Sequence, residues 1–185
     1  NILAGENVVA AMEEAFLTTA GTLAERLYAA LLAGESMGGD SRGKQSAALL
    51  VVRQGAGYGG YTDRAIDIRV DDHSEPLQEL GRLLDLAQLN YAWNEAWTLF
   101  SDGKSREALP YMDKAVQIDP RHPELLYDLA VIRLAAGDES GALEALEKAV
   151  TLNPKLKNQA RVDDDLAALR GKNEFKQIVI NFVAE

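Results

Sequence analysis

The sequence contains no cysteine, only two histidines and no long hydrophobic run. Without cysteine the chain can have neither a disulfide framework nor a thiolate metal site, and with two histidines no Ser-His-Asp triad is apparent. The hydrophobic stretches stay well below the ~20 residues of a membrane span. Basic residues are also scarce, with 19 Lys and Arg against 29 Asp and Glu, so the net charge is −10. Such a surface repels phosphates, which argues against nucleic-acid binding.

The composition is otherwise that of a folded soluble protein, with 47% hydrophobic and 26% charged residues among 185. This length suffices for one large domain or two small ones. Both halves are acidic: residues 1–90 carry 7 basic and 13 acidic groups (−6), and residues 91–185 carry 12 and 16 (−4). The chain begins at Asn1 rather than Met, so we expect a fragment or a processed chain. We expect a cytoplasmic location and no cofactor or metal.

A repeat of 34 residues organises the stretch from Asp102 to Pro154. Six positions recur at this spacing: Gly103 and Gly137, Ala108 and Ala142, Leu109 and Leu143, Ala115 and Ala149, Val116 and Val150, and Pro120 and Pro154. The glycine suits the left-handed end of a first helix. The alanines allow two helices to approach closely, and the proline closes the second helix. This period is that of the tetratricopeptide repeat (TPR), a helix-turn-helix unit.

We therefore predict an all-α array of helical hairpins over residues 89–185. Two repeats occupy residues 89–122 and 123–156. A degenerate helix pair within residues 157–185 caps the array, as stacked repeats require to stay soluble. Such an array indicates a scaffold that binds a protein or peptide in its groove, and association between copies of the chain stays open.

Four side chains are candidates for the partner-binding surface. Trp93 and Trp97 lie four residues apart on the first helix of the first repeat, and Tyr127 and Val131 are their equivalents in the second. In the repeat register these positions face the inner, concave side, where tryptophan and tyrosine would anchor a peptide or helix. The alternative is that the tryptophans pack against the first domain, because their helix lies at the domain junction.

Hydrophobic periodicity predicts two helices at the start of the chain. The first covers residues 6–18, which place apolar and acidic side chains on opposite faces. The second opens with a capping box formed by Thr22 and Glu25 and ends at Gly34 or Gly38.

A pair of antiparallel strands and a third helix complete the first domain. Residues 46–53 and 65–70 are apolar or alternating and rich in β-branched residues, so they predict strands joined by a glycine-rich hairpin loop. Ser74 can cap the third helix, which continues to about Phe100. Its apolar stripe consists of Leu77, Leu80, Leu84 and Ala87. We place the domain boundary near Gln88, which gives domains of residues 1–88 and 89–185.

Two glycine-rich segments resemble nucleotide-binding motifs but stand in the wrong context. Residues 38–44 fit the P-loop pattern as far as its lysine, yet Gln45 replaces the required Ser or Thr, and a helix precedes where a strand is needed. Gly55, Gly57 and Gly60 fit G-x-G-x-x-G, but a strand follows instead of a helix. A hairpin loop is the better interpretation of these glycines.

Two acidic clusters are weak candidates for a metal site. Asp71, Asp72 and His73 are consecutive at a strand end, so their side chains point in alternating directions, and a solvated turn is the simpler interpretation. The three aspartates at residues 163–165 suit the positive N-terminal end of a helix better than a metal site.

Two long blocks in the first half resemble a known family. They are GGDSRGKQSAALLVV at residues 38–52 and DRAIDIRVDDH at residues 63–73, preceded by NILAGE at residues 1–6 and followed by Pro76 and the leucine helix. In this order they resemble the domain-of-unknown-function family numbered 1028, over roughly the first 88 residues. The resemblance implies a fold like that of the N-terminal nucleophile (Ntn) hydrolases. That fold is a four-layer α-β-β-α sandwich, of which this chain would hold half.

In that class of enzyme a Thr, Ser or Cys at the chain start attacks an amide, and its own α-amine serves as the base. Such an amine has a pKa of about 7.7–8.0, so no histidine is needed. Asn1 is not a nucleophile of this kind, so the resemblance implies that the nucleophile and the other half of the domain lie outside this chain.

Polar residues of this chain would then be supporting residues. The candidates are Asp40, Arg42, Gln45 and Ser46 before the first strand, and Asp67 and Arg69 on the polar face of the second. The alternative is that they form a salt-bridge network that fixes the loops. Two hypotheses follow: an amide-hydrolase-like domain delivered to partners by a repeat array, or a non-catalytic TPR interaction protein.

Overall fold

A computed structural model describes residues 7–12, 17–36, 47–53 and 64–180. Contacts between residues divide the chain into two units, an N-terminal unit of residues 1–88 and a repeat unit of residues 89–185. In the described residues the N-terminal unit combines helices with a sheet, and the repeat unit is helical.

Three strands and two helices form the N-terminal unit. They are β1 (Asn7–Met12), α1 (Leu17–Ser36), β2 (Ala47–Arg53), β3 (Arg64–Val70) and the first half of α2 (Pro76–Ser101). The strand order is β1-β2-β3, with β1 parallel to β2 and β2 antiparallel to β3. The predicted antiparallel pair is therefore confirmed, and β1 adds a strand that was not predicted.

The helix predicted over residues 6–18 is wrong, because residues 7–12 form strand β1. Val8 pairs with Leu49 and Ala10 with Val51 in a parallel ladder. Adjacent valines suit a strand, and β2 pairs with β1 along one edge, so the local helical spacing does not decide the structure.

The two helices of the N-terminal unit also differ in detail from the predictions. Helix α1 begins at Leu17, so Thr22 lies inside it and is not its cap. Helix α2 begins at Pro76, and the carbonyl of Glu75 accepts the first bond, from Glu79 N at 3.2 Å. Ser74 is therefore not the capping residue.

The core of the N-terminal unit lies between the helices and one face of the sheet. Its buried residues are Ala24, Leu27, Ala47, Leu49, Ile66, Val70, Leu80 and Leu84. Ala87, predicted to extend the stripe of α2, is exposed. Asp67 and Arg69 alternate with the buried residues of β3 and are also exposed, as the pattern predicts.

Helix α1 and helix α2 approach closely at a glycine. The Tyr28 hydroxyl donates to the Leu77 carbonyl at 2.9 Å, and its ring lies over Gly81. A Cβ atom on Gly81 would stand 2.3 Å from the Tyr28 oxygen, so only glycine fits there without displacing the tyrosine.

The repeat unit continues α2 with a regular series of helices. They are α3 (Ser105–Ile118), α4 (Pro123–Ala135), α5 (Glu139–Leu152), α6 (Leu156–Val162), a 3₁₀ helix (Asp164–Leu169) and α7 (Asn173–Ile180). The cap thus comprises three short helices, whereas the pattern predicted two, because α6 was not recognised.

The recurring residues occupy the positions that the 34-residue period predicts. Gly103 and Gly137 have φ angles of 75° and 91°. At these turns Lys104 N bonds to Leu99 O at 2.9 Å and Asp138 N bonds to Arg133 O at 2.8 Å, which is the bonding of a left-handed helix end. The four recurring alanines, Ala108, Ala115, Ala142 and Ala149, are each 0% exposed.

Candidate functional site

Two tryptophans on α2 share one hydrogen-bond acceptor on α4. Trp93 and Trp97 are one helical turn apart, so their side chains lie on the same face. The indole Nε1–H of Trp93 donates to Asp128 Oδ2 at 2.7 Å, and that of Trp97 donates to the same oxygen at 2.9 Å. The carboxylate therefore fixes both rings and joins the first helices of the two repeats.

The environment of Asp128 opposes its ionisation. Burial raises the pKa of the Asp128 carboxyl above its ordinary value, and the charge of Glu124 adds to this rise. The hydrogen bonds from Trp97 and Trp93 and the nearby His122 lower the pKa but do not offset the burial. The two indole donors are thus needed to hold a charge at a half-buried position.

His122 completes what we call the aromatic surface: Trp93, Trp97 and His122. The rings of Trp93 and His122 meet edge-to-face with centroids 5.6 Å apart, a favourable arrangement. The His122 side chain also caps α4, because its Nδ1 accepts from Leu125 N at 3.4 Å. Both tryptophans and the histidine remain partly exposed.

The equivalent side chains in the second repeat are buried. Tyr127, 34 residues after Trp93, is 3% exposed, and Val131 is 2% exposed. The Tyr127 hydroxyl donates to Asp163 Oδ2 at 2.7 Å, and burial raises its pKa strongly, so the phenol stays protonated and acts as the donor. Of the four predicted partner-binding residues, the structure leaves Trp93 and Trp97 accessible.

Asp128 was not singled out from the sequence, although a spacing signal exists. Trp93 and Asp128 are 35 residues apart, and Tyr127 and Asp163 are 36 apart. In each pair, an aromatic donor on the first helix of one repeat meets a carboxylate about one repeat later. An acid located one repeat after an aromatic residue is thus a candidate for this bond.

The supporting candidates for hydrolysis are only partly within the described residues. Asp67 and Arg69 lie on the polar side of β3, where Arg69 Nε bonds to Asp67 Oδ1 at 2.9 Å. This pair fits the predicted salt bridge as well as a supporting role. Asp40, Arg42, Gln45 and Ser46 lie outside the described residues, as do both glycine-rich motifs and the hairpin loop.

The acidic clusters have local structural roles. His73 Nδ1 accepts from Glu75 N at 3.1 Å at the turn before α2. Asp163 caps the 3₁₀ helix by accepting from Asp165 N at 3.0 Å. Among the residues that the structure describes, no group of three or more His, Cys, Asp or Glu side chains could hold a metal ion.

A separate cavity of about 560 Å³ lies within the N-terminal unit. Its polar lining includes Glu25, His73, Glu79, Arg82 and Asp85. Arg82 is bound within the lining by Glu79, with Nη2 2.7 Å from Oε1.

None of the helices in the described part of the chain has the length and apolar character needed to span a membrane.

Comparison with known proteins finds a matching family model in each unit. Residues 1–80 match a model described as "Family of unknown function (DUF1028)", and residues 99–171 match a tetratricopeptide repeat model. A search of curated proteins finds no match. The two resemblances drawn from the sequence are therefore confirmed.

Proposed function

Because residues 1–80 match the DUF1028 family and residues 99–171 form tetratricopeptide repeats, we propose that the chain is an interaction protein that holds a partner at its aromatic surface. Tetratricopeptide arrays generally bind other proteins, and the first-repeat tryptophans supply the kind of side chain that dominates such interfaces. The repeat unit would hold the partner.

The bonds from both indoles to Asp128 are the observation that carries this proposal. They hold two large rings in fixed positions before any partner arrives, so little side-chain freedom is lost on binding. The polar N–H edges of both rings are turned toward α4, so the exposed parts of the rings offer apolar contacts. A rigid, partly exposed aromatic pair is a suitable anchor for an apolar side chain of a partner.

Substitution of both tryptophans tests the proposal. We expect Trp93→Ala with Trp97→Ala in the full chain to lower the affinity for a partner, identified by cross-linking in the source cells, by more than tenfold. Tyr111→Ala, which removes a partly buried aromatic side chain from α3, serves as the control. If the double variant loses stability while partner binding survives, the tryptophans are packing residues and the proposal fails.

We propose as a second candidate that the N-terminal unit is one half of an amide-hydrolase-like sandwich. The observation that favours it is that α1 and α2 pack on one face of the sheet, while the other face carries exposed Asp67 and Arg69. One helix layer on one sheet layer is what half of a four-layer α-β-β-α sandwich contains.

N-terminal sequencing and the intact mass of the mature full-length gene product test this candidate. A Thr, Ser or Cys at the start would supply nucleophile and base together and would justify a screen of amide substrates. Any other first residue would remove the nucleophile, and the non-catalytic interaction protein would remain.

A further inference from the structure

The hydrogen-bond donors of the aromatic surface are already in use. Both indole N–H groups donate to Asp128, at 2.7 and 2.9 Å. What Trp93 and Trp97 can still offer a partner is the faces of their rings. Ring faces carry the negative part of the aromatic quadrupole and attract cations.

Two carboxylates of α4 border the aromatic surface: Asp128, which accepts from both indoles, and Glu124. The side chain of Glu124 is 49% exposed, and its Oε2 lies 3.4 Å from His122 Nδ1. Glu124 and Asp128 are one turn apart on α4, so they lie on the same side of that helix. Asp163 is held at the neighbouring Tyr127, whose hydroxyl lies 2.7 Å from its Oδ2.

The arginine that follows the 3₁₀ helix is already paired with carboxylate and carbonyl oxygens. Arg170 Nη2 lies 3.2 Å from Asp164 Oδ1 and donates to the Asp163 carbonyl at 2.8 Å. An incoming positive group would thus meet ring faces and carboxylate oxygens, whereas an incoming acid would meet like charge.

On the premise of the proposed function, we infer that the partner presents a basic segment, with a Lys or Arg next to an apolar side chain. The apolar side chain packs on the indole faces, and the cation lies between a ring and the carboxylates. A second copy of this chain is a poor occupant, because its net charge is −10 and like charges disfavour association.

Three designed peptides test the charge of the partner. Each is an amphipathic helical 16-mer with leucine on one face and lysine, glutamine or glutamate on the other. The emission of the full chain reports binding at this surface, since its two tryptophans are Trp93 and Trp97. We expect the lysine peptide to bind at least tenfold more tightly than the glutamate peptide and to weaken as salt screens the charges.

Charge-removing variants locate the effect. Glu124→Gln is expected to weaken the lysine peptide by roughly two- to fivefold, as for a single exposed charge pair. Glu147→Gln removes an equally negative, exposed side chain from α5 and should leave the affinity unchanged. Equal losses in both variants would show attraction by net charge alone and would overturn the assignment to this surface.

The outcomes separate this inference from its premise. If the glutamine or glutamate peptide binds as tightly as the lysine peptide, and Trp93→Ala with Trp97→Ala abolishes that binding (followed by calorimetry), the interaction surface stands and the basic partner is refuted. If no peptide binds, and the cellular partner is also unaffected by the double variant, both the inference and the proposed function fail.

Discussion

Removal of the acceptor at Asp128 is the most direct test of how the first repeat is held to the second. In Asp128→Ala, the indole N–H groups of Trp93 and Trp97 lose the oxygen that both now share at 2.7 and 2.9 Å. In Asp128→Asn the side chain keeps an oxygen that can accept from them but loses the charge. The two variants therefore separate the hydrogen bonds from the electrostatics.

The expected loss follows from the two bonds and their surroundings. A hydrogen bond to a charged group contributes about 1.5–3 kcal/mol. The indoles are partly exposed, so water can replace part of the lost hydrogen bonding. The variant also removes the unfavourable burial of the carboxylate, which is what raises the pKa of Asp128. We expect Asp128→Ala to lower the free energy of unfolding by about 2–3 kcal/mol. In a unit of this size that lowers the Tm by roughly 10–20 °C.

Urea unfolding followed by tryptophan emission measures this loss, since both tryptophans of the chain are in the site. Asp128→Asn should lose about 1 kcal/mol or less, because its amide oxygen still accepts. If Asp128→Ala unfolds within about 0.5 kcal/mol of the native chain, a difference typical of neutral surface changes, the indole bonds do not join the repeats and the reasoning is refuted.

The stability difference between the native chain and Asp128→Asn should depend on pH, and the sign of this dependence can be predicted. The native pKa of Asp128 is raised, so the native state holds this proton more tightly than the unfolded state. Asp128 therefore contributes a loss of stability as pH rises from the ordinary aspartate range through the raised native value. Asp128→Asn should lack this contribution. As pH rises through that window, the variant should therefore gain stability relative to the native chain.

Two further predictions concern glycines. Gly137 has a φ of 91°, so Gly137→Ala should destabilise the repeat unit by about 1–2 kcal/mol. The same urea titration measures this loss, and an unchanged midpoint would contradict the left-handed helix end. Gly81→Ala would place a Cβ 2.3 Å from the Tyr28 oxygen and should cost about 1–3 kcal/mol by circular dichroism. Gly171→Ala, with no atom within 4 Å of the new Cβ, is the matched control, and equal losses would refute the close contact.

The repeat unit could be predicted from the sequence because each recurring residue has a local reason. A glycine at Gly103 or Gly137 permits a positive φ, and an alanine at Ala108 or Ala142 permits close packing, whatever the rest of the chain does. The cap was predicted less well. Helix α6 is only seven residues long, too short for the 3.6-residue periodicity to show.

The N-terminal unit shows why local patterns fail for parallel strands. Strand β1 pairs Asn7 with Ala48, 41 residues away, and nothing near Asn7 indicates that partner. Strands β2 and β3 were predictable, because a glycine-rich stretch links two β-branched runs and Ile66 and Ile68 alternate with polar residues. Local spacing therefore gave a helix where a distant strand decides the structure.

Only the tryptophans of the site could be predicted from the sequence, because the rest depends on contacts between distant residues. The spacing of Trp93 and Trp97 places two rings on one helical face, which sequence alone can establish. An acid such as Asp128 on a helix is ordinarily solvated, so its contact with the tryptophans depends on how α2 and α4 stack. Their pairing becomes clear only when the bond from Tyr127 to Asp163 shows the same arrangement one repeat later.

The two repeats differ in the exposure of their equivalent aromatic residues: Trp93 is partly exposed, whereas Tyr127 is 3% exposed. Trp93 and Tyr127 are equivalent and each donates to a carboxylate about one repeat later. Beyond Tyr127, however, the 3₁₀ helix packs against α4, and its Leu166 and Leu169 are 0% exposed. The cap thus encloses the second aromatic position in the core, while the first stays partly open. Under the proposed function, we therefore expect a partner to engage this array at its first repeat, next to Asp128 of α4.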